Sequence, residues 1–153
     1  MTQIVDGKKI ASVILTDLKK RVAIVKERGI KPALAVVMVG EHKPSQTYVK
    51  KKEESAREIG VDFFKFQLPD DTDKNTLIAL ILEIQAEHDL SGLIVQLPVP
   101  EKLWPDRREI LNHINIDIDV DCLSHLALGK VMMNENLLAP PTPGAIMEIL
   151  KYY

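Results

Sequence analysis

The run Ala33-Leu-Ala-Val-Val-Met-Val39 constrains the fold more than any other stretch. It shows no alternation that would leave one face wet. A short, continuous apolar run rich in valine reads as a strand covered on both faces, as in parallel sheets. Gly92-Leu-Ile-Val95 has the same character, and it runs into Gln96-Leu-Pro98-Val-Pro100, where two prolines stop the ladder. Val61 to Leu68 reads as a third strand. It places Phe64, Phe66 and Leu68 on one face, with Lys65 and Gln67 on the other.

Helical spacing fills the intervals. Residues 8 to 28 repeat Ile10, Val13, Ile14, Leu18, Val22 and Val25 and stop at Gly29. A helix is expected to open near Pro44 or Ser45 and to close at Gly60. Leu77, Leu80, Ile81 and Ile84 mark another, with its caps expected from the turn Pro69-Asp-Asp-Thr72. Further on, the pattern predicts a short helix over Asp106 to His113 and an extended or loop segment over Asn115 to Asp121. It then predicts a helical stretch over Leu123 to Met132 and a turn at Asn134-Glu-Asn136. A last helix follows, with Thr142 as N-cap and Pro143 in its first position. One helix followed by repeated β-α units predicts the α/β class. The expected architecture is a three-layer α/β/α sandwich with a mainly parallel sheet, a single domain over 1–153.

Composition narrows the partners. A net charge of -2 gives no general attraction to nucleic acid or to an anionic membrane. The single cysteine, Cys122, rules out an internal disulfide and fits a reducing compartment. No apolar run approaches the roughly 20 residues of a membrane span. The first residues show no secretory signal, so a cytoplasmic location is expected.

One side chain breaks the division of faces on the helix ending at Gly60. Tyr48, Val49, Lys52, Ala56 and Ile59 share one arc, while Lys50, Lys51, Glu53, Glu54, Arg57 and Glu58 share the other. Lys52 therefore sits within the apolar face. Either its stem runs along apolar surface with the charge in water, or it is partly desolvated beside a partner. In open parallel sheets, ligands bind beyond the carboxyl ends of the strands. The strand ending at Val39 feeds the Lys52 helix, and the strand ending at Val95 puts Gln96 at the same rim. Tyr48, Lys52 and Gln96 together suit a flat, polar heterocycle: the ring stacks, the amide orients and the amine moves protons.

Other patterns are weaker. Asp117-Ile-Asp119-Val-Asp121 fails the calcium-loop pattern, since Cys122 and Leu128 stand where Gly and Glu are required. Its alternating carboxylates suggest one extended face turned either to a polar site or to solvent. His42, His88, His113 and His125 show no metal spacing and read as surface or loop residues, so no metal is expected. Cys122 reads as an inert small side chain. Neither a G-x-G-x-x-G nor a G-x-x-x-x-G-K-S/T occurs, so no dinucleotide site is expected within the chain.

Gly40…Ser45-x-x-Tyr48-Val-x-x-Lys52, Gly92-Leu-Ile-Val-Gln96-Leu-Pro-Val-Pro100, Asp119-Val-Asp121 and Pro-Pro-Thr-Pro143 occur in that order. In order and spacing, over essentially the whole chain, they resemble the methylenetetrahydrofolate dehydrogenase/methenyltetrahydrofolate cyclohydrolase family. The resemblance implies one-carbon metabolism: NADP-dependent oxidation of 5,10-methylenetetrahydrofolate, then hydrolysis of 5,10-methenyltetrahydrofolate to 10-formyltetrahydrofolate. It also implies a multifunctional oxidoreductase and hydrolase linked to purine biosynthesis, and a homodimer. Lys52 and Gln96 would be catalytic, with Gln96 bonded near Lys52. Tyr48 would pack on the folate, Asp121 would hold the pterin's N–H groups, and Ser45, Val95, Leu97 and Pro98 would line the substrate. The family continues into a Rossmann domain for the cofactor. The chain is therefore expected to be the folate-binding catalytic domain alone, without that NADP domain. The alternative is a truncated, non-catalytic domain that binds folate or pairs with another subunit. Departures from the family include Ile118-Asp-Val-Asp-Cys122, where many relatives read Lys-Asp-Val-Asp-Gly, and Pro-Pro-Thr-Pro, where many read Pro-Cys-Thr-Pro.

Overall fold

The computed structural model describes residues 4–135 and 138–153. Among them the element order is α1 (Gly7–Glu27), β1 (Ala33–Val39), α2 (Lys43–Ile59), β2 (Asp62–Leu68), α3 (Lys74–Glu87) and β3 (Gly92–Val95). Then come α4 (Arg107–Leu111), α5 (His125–Met132) and α6 (Pro141–Tyr152). Single 3-10 turns at Glu101–Leu103 and Ile116–Ile118 flank α4. The three strands form one parallel sheet in the order β2-β1-β3.

The central position of β1 follows from its sequence. Val36 and Met38 face one side and Ala35, Val37 and Val39 the other, and all five are buried. The second set packs with Leu77, Ile81 and Ile84 of α3 and with Ile110 of α4. The first set packs with Val49 of α2 and Ile94 of β3. Helices thus cover both faces, as the α/β sandwich requires. The helix α1 lies outside α2, so Val13 and Ile14, counted on its apolar stripe, remain exposed.

Several boundaries differ from the sequence reading, each for a local reason. Helix α2 begins at Lys43 because the His42 ring accepts the Ser45 amide and acts as N-cap. Gly60 closes it in the left-handed conformation, φ 87°. Helix α3 is capped by Asp73, beyond the expected 69–72 turn, through the Thr76 amide. Helix α6 starts at Pro141, ahead of Thr142, so Thr142 is not its N-cap, and no side chain caps that end. The short helix expected over 106–113 reduces to Arg107–Leu111, and Ser124 caps α5 at the Ala127 amide. Asn134 takes φ 57°, a turn conformation, while Asn136 lies outside the described residues. No described helix is long and apolar enough to cross a membrane.

Candidate active site

Three segments meet at the carboxyl rim of the sheet: α2, the end of β3, and the turn before α5. Lys52 Nζ donates to Gln96 Oε1 at 3.2 Å and lies 3.9 Å from Asp121 Oδ2. Its side chain is 32 % exposed and that of Asp121 21 %. The lysine on the apolar face therefore has both an amide and a carboxylate as partners. Gln96 is itself oriented, since its Nε2 donates to Leu97 O at 2.8 Å. The Leu97 carbonyl also accepts from Ser45 Oγ at 3.4 Å. Buried Ser45 in turn sits 2.8 Å from His42 Nδ1, so the first turn of α2 is tied to the segment after β3. The Leu97–Pro98 peptide bond is cis.

Tyr48 lies at the exposed side of its arc. It is 62 % exposed, because the buried face of α2 centres on Ser45, Val49 and Ala56. Its side chain is left largely to solvent. Lys50 and Lys51 point to solvent. Val95 and Leu97 turn their side chains toward the α3 side of the core, which leaves their backbone for the rim. Pro98 lines a groove of about 950 Å³ together with Gly40, Glu41, His42, Asp70 and Glu101.

The acidic segment does not form one extended polar face. Asn115 Oδ1 accepts the Asp117 amide and closes a 3-10 turn, which breaks the two-residue alternation. Asp117 is exposed, Asp119 is buried and Asp121 turns to Lys52. The Asp119 carboxylate is the residue that sequence reasoning missed. A carboxylate two residues before the Lys52 partner and five before the Ser124 cap was the available signal.

Burial pushes the Asp121 carboxyl above its usual range. The Lys52 charge pulls the other way, and Asp119 adds to the upward shift. The folded state therefore binds this proton more tightly than the unfolded state. Stability attributable to Asp121 falls as pH rises from the ordinary value of 3.8 through the raised one. Asp121→Asn is thus expected to melt higher than the parent at pH 7. The difference should shrink on acidification and vanish below about pH 3.8 in thermal melts. A difference that grows toward acid would contradict the assignment.

The profile of the tetrahydrofolate dehydrogenase/cyclohydrolase catalytic domain matches residues 5–121. The chain belongs to this family. It is 39 % identical over 151 residues to the bifunctional protein FolD of Thermodesulfovibrio yellowstonii, covering 99 % of this chain and 52 % of that one. It superposes on the Campylobacter jejuni FolD structure with a TM-score of 0.92 at 33 % identity, covering 99 % of this chain and 53 % of the other. The Trypanosoma brucei methylenetetrahydrofolate dehydrogenase-cyclohydrolase, solved with NADP cofactor and an inhibitor, gives 0.91 at 30 % identity, covering 98 % and 51 %. The chain spans about half the length of the relatives it matches.

The β1–α2 turn holds one glycine, and Glu41, Asp70 and Glu101 give the groove an acidic lining. Among the described residues no three His, Cys, Asp or Glu side chains are grouped to hold a metal ion.

Proposed function

We propose that this chain carries the folate site of an enzyme that interconverts 5,10-methylene-, 5,10-methenyl- and 10-formyltetrahydrofolate, with Lys52 as the acid/base residue. The observation that carries the reading is Lys52 Nζ held between Gln96 Oε1 and Asp121 Oδ2 beside an exposed tyrosine.

The methenyl bridge is a cationic amidine carbon. Water adds to that carbon and must lose a proton, which Lys52 accepts. The C–N bond at N5 then breaks as Lys52 returns that proton to the nitrogen, the hydroxyl of the adduct gives up its remaining proton to solvent, and a formyl group remains on N10. Gln96 fixes where the amine points. Asp121 accepts the pterin's amino and ring N–H donors. The 3.9 Å spacing of its ion pair leaves room for those donors to compete. Tyr48 stacks on the folate, and Ser45, Val95, Leu97 and Pro98 border it.

The dehydrogenase step uses NADP as hydride acceptor, by analogy with the Trypanosoma brucei complex, on residues proposed to lie outside this chain. A homodimer, a cytoplasmic location and a link to purine biosynthesis belong to the same proposal. Neither nucleic acid nor membrane is a proposed partner. A non-catalytic, subunit-pairing role is the second reading, favoured by the exposure of Ile146, Met147 and Leu150 on α6.

The test is to incubate the chain with 5,10-methenyltetrahydrofolate and follow its near-ultraviolet absorbance. Loss faster than in buffer supports the reading, and loss at the buffer rate with saturable folate binding favours the second. Lys51→Ala, one residue away and exposed, is expected to leave folate affinity within about two-fold of the parent by calorimetric titration.

A further inference from the structure

Asp119 is 2 % exposed and sits in a place that the proposed chemistry does not use. Three successive backbone amides donate to it. Cys122 N reaches its carbonyl oxygen at 3.2 Å, Leu123 N reaches Oδ1 at 3.3 Å and Ser124 N reaches Oδ2 at 2.9 Å. Its backbone also bridges Leu93 of β3, the strand that leads into Gln96. Next to it, Val120 presses on the same strand: a Cβ on Gly92 would lie 2.9 Å from Val120 Cγ1. Asp121 is thus held between a clamped residue and a turn that this residue closes.

We propose that Asp119 is a positioning residue: by taking the amides of Cys122, Leu123 and Ser124, it holds the turn that keeps Asp121 against Lys52. A buried carboxylate satisfied by amides is oriented more firmly than a neutral side chain, because charge-assisted hydrogen bonds are shorter and stronger. The Gln96 and Asp121 partners of Lys52 are then registered to one strand, Gln96 through the chain and Asp121 through Asp119. The role deepens the folate-site reading and rests on it for its meaning, but its geometry is testable without ligand.

The first measurement is the titration of the Asp121 carboxyl by NMR in the ligand-free chain. In the parent, Lys52→Ala is expected to raise the midpoint by about half a pH unit or more, because a cation is lost nearby. In the Asp119→Asn background the same change is expected to move it by less than about half as much, since the pair is no longer held together. Equal shifts in the two backgrounds, or no shift in either, overturn the proposal. Ser124→Ala removes the α5 cap but keeps the amide, and it is expected to behave as the parent, which separates positioning from general destabilisation. Should Asp119→Asn fail to fold, Ser124→Pro makes the same comparison. Its φ of -68° suits proline, and it deletes one donor while leaving the carboxylate.

The second measurement is calorimetric titration with tetrahydrofolate. Asp119→Asn is expected to weaken binding about ten-fold when Asp121 is present and about two-fold or less in an Asp121→Asn background. Equal losses in both backgrounds mean a merely structural residue and overturn the role. If the carboxyl titration behaves as expected while the parent binds no tetrahydrofolate, the folate reading fails and the positioning role stands.

Discussion

Lys52→Ala is expected to slow hydrolysis of 5,10-methenyltetrahydrofolate by the chain about 100-fold or more, with little change in the thermal midpoint. The rate effect follows from the proposed role: one positioned acid/base group contributes about 10²–10⁴-fold. Neither Gln96, a neutral amide, nor Asp121, turned toward the pterin in the proposed complex, replaces a base at that point. The small stability effect follows from exposure. A side chain one-third exposed with a 3.9 Å ion pair contributes no more than about 1 kcal/mol. Absorbance decay and a thermal melt on the same two samples make the test. A variant that keeps the parent's rate would reduce Lys52 to a lysine whose stem covers apolar surface.

The second large effect concerns the backbone beneath the site. Cys122 is buried and adopts φ 53°, where L-residues are strained by about 1–2 kcal/mol. Cys122→Val is expected to destabilise the chain by about 3 kcal/mol, since a β-branched residue is a genuine outlier in that region and its second methyl must enter a filled site. Cys122→Gly is expected to fall within about 1 kcal/mol of the parent, because relief of the strain offsets the lost burial of the thiol. Denaturant unfolding of both variants decides the matter. A valine variant as stable as the glycine variant would show that the turn relaxes freely. Cys122 thus holds a conformation that glycine would adopt without strain.

The sheet was legible because its signal is local and redundant. The apolar run of β1 needs burial on both faces whatever surrounds it, and its bounds match the reading residue for residue. The position of Lys52 on α2 was equally legible, since a charge on an apolar arc stands out against helical spacing. What escaped the sequence depends on single side chains acting on backbone. Histidine is an uncommon cap, so the sequence does not announce the start of α2 at Lys43. Two-residue alternation of the acidic residues has meaning only in extended chain, and the Asn115 turn removes that premise. Tyr48 shares the apolar arc yet stays exposed, because a helical wheel gives direction but not the width of the contact, and α2 buries a narrower strip than that arc.

The order of the strands has a consequence for how the chain assembles. The central strand pairs first with a neighbour reached through α2, then with one 58 residues further along, where Ser91 Oγ accepts the Ala33 amide. Lys52 and Gln96 are 44 residues apart, and Asp121 arrives later still. Contacts of such long range form only after the intervening loop entropy has been overcome. Nothing near Lys52 in the sequence can stand in for its partners. During synthesis the lysine helix emerges well before either partner and must wait, solvated, for both. The appearance of the Lys52–Gln96–Asp121 cluster therefore marks completion of the whole sheet, and its spectroscopic signature in a refolding experiment would be among the slowest to develop.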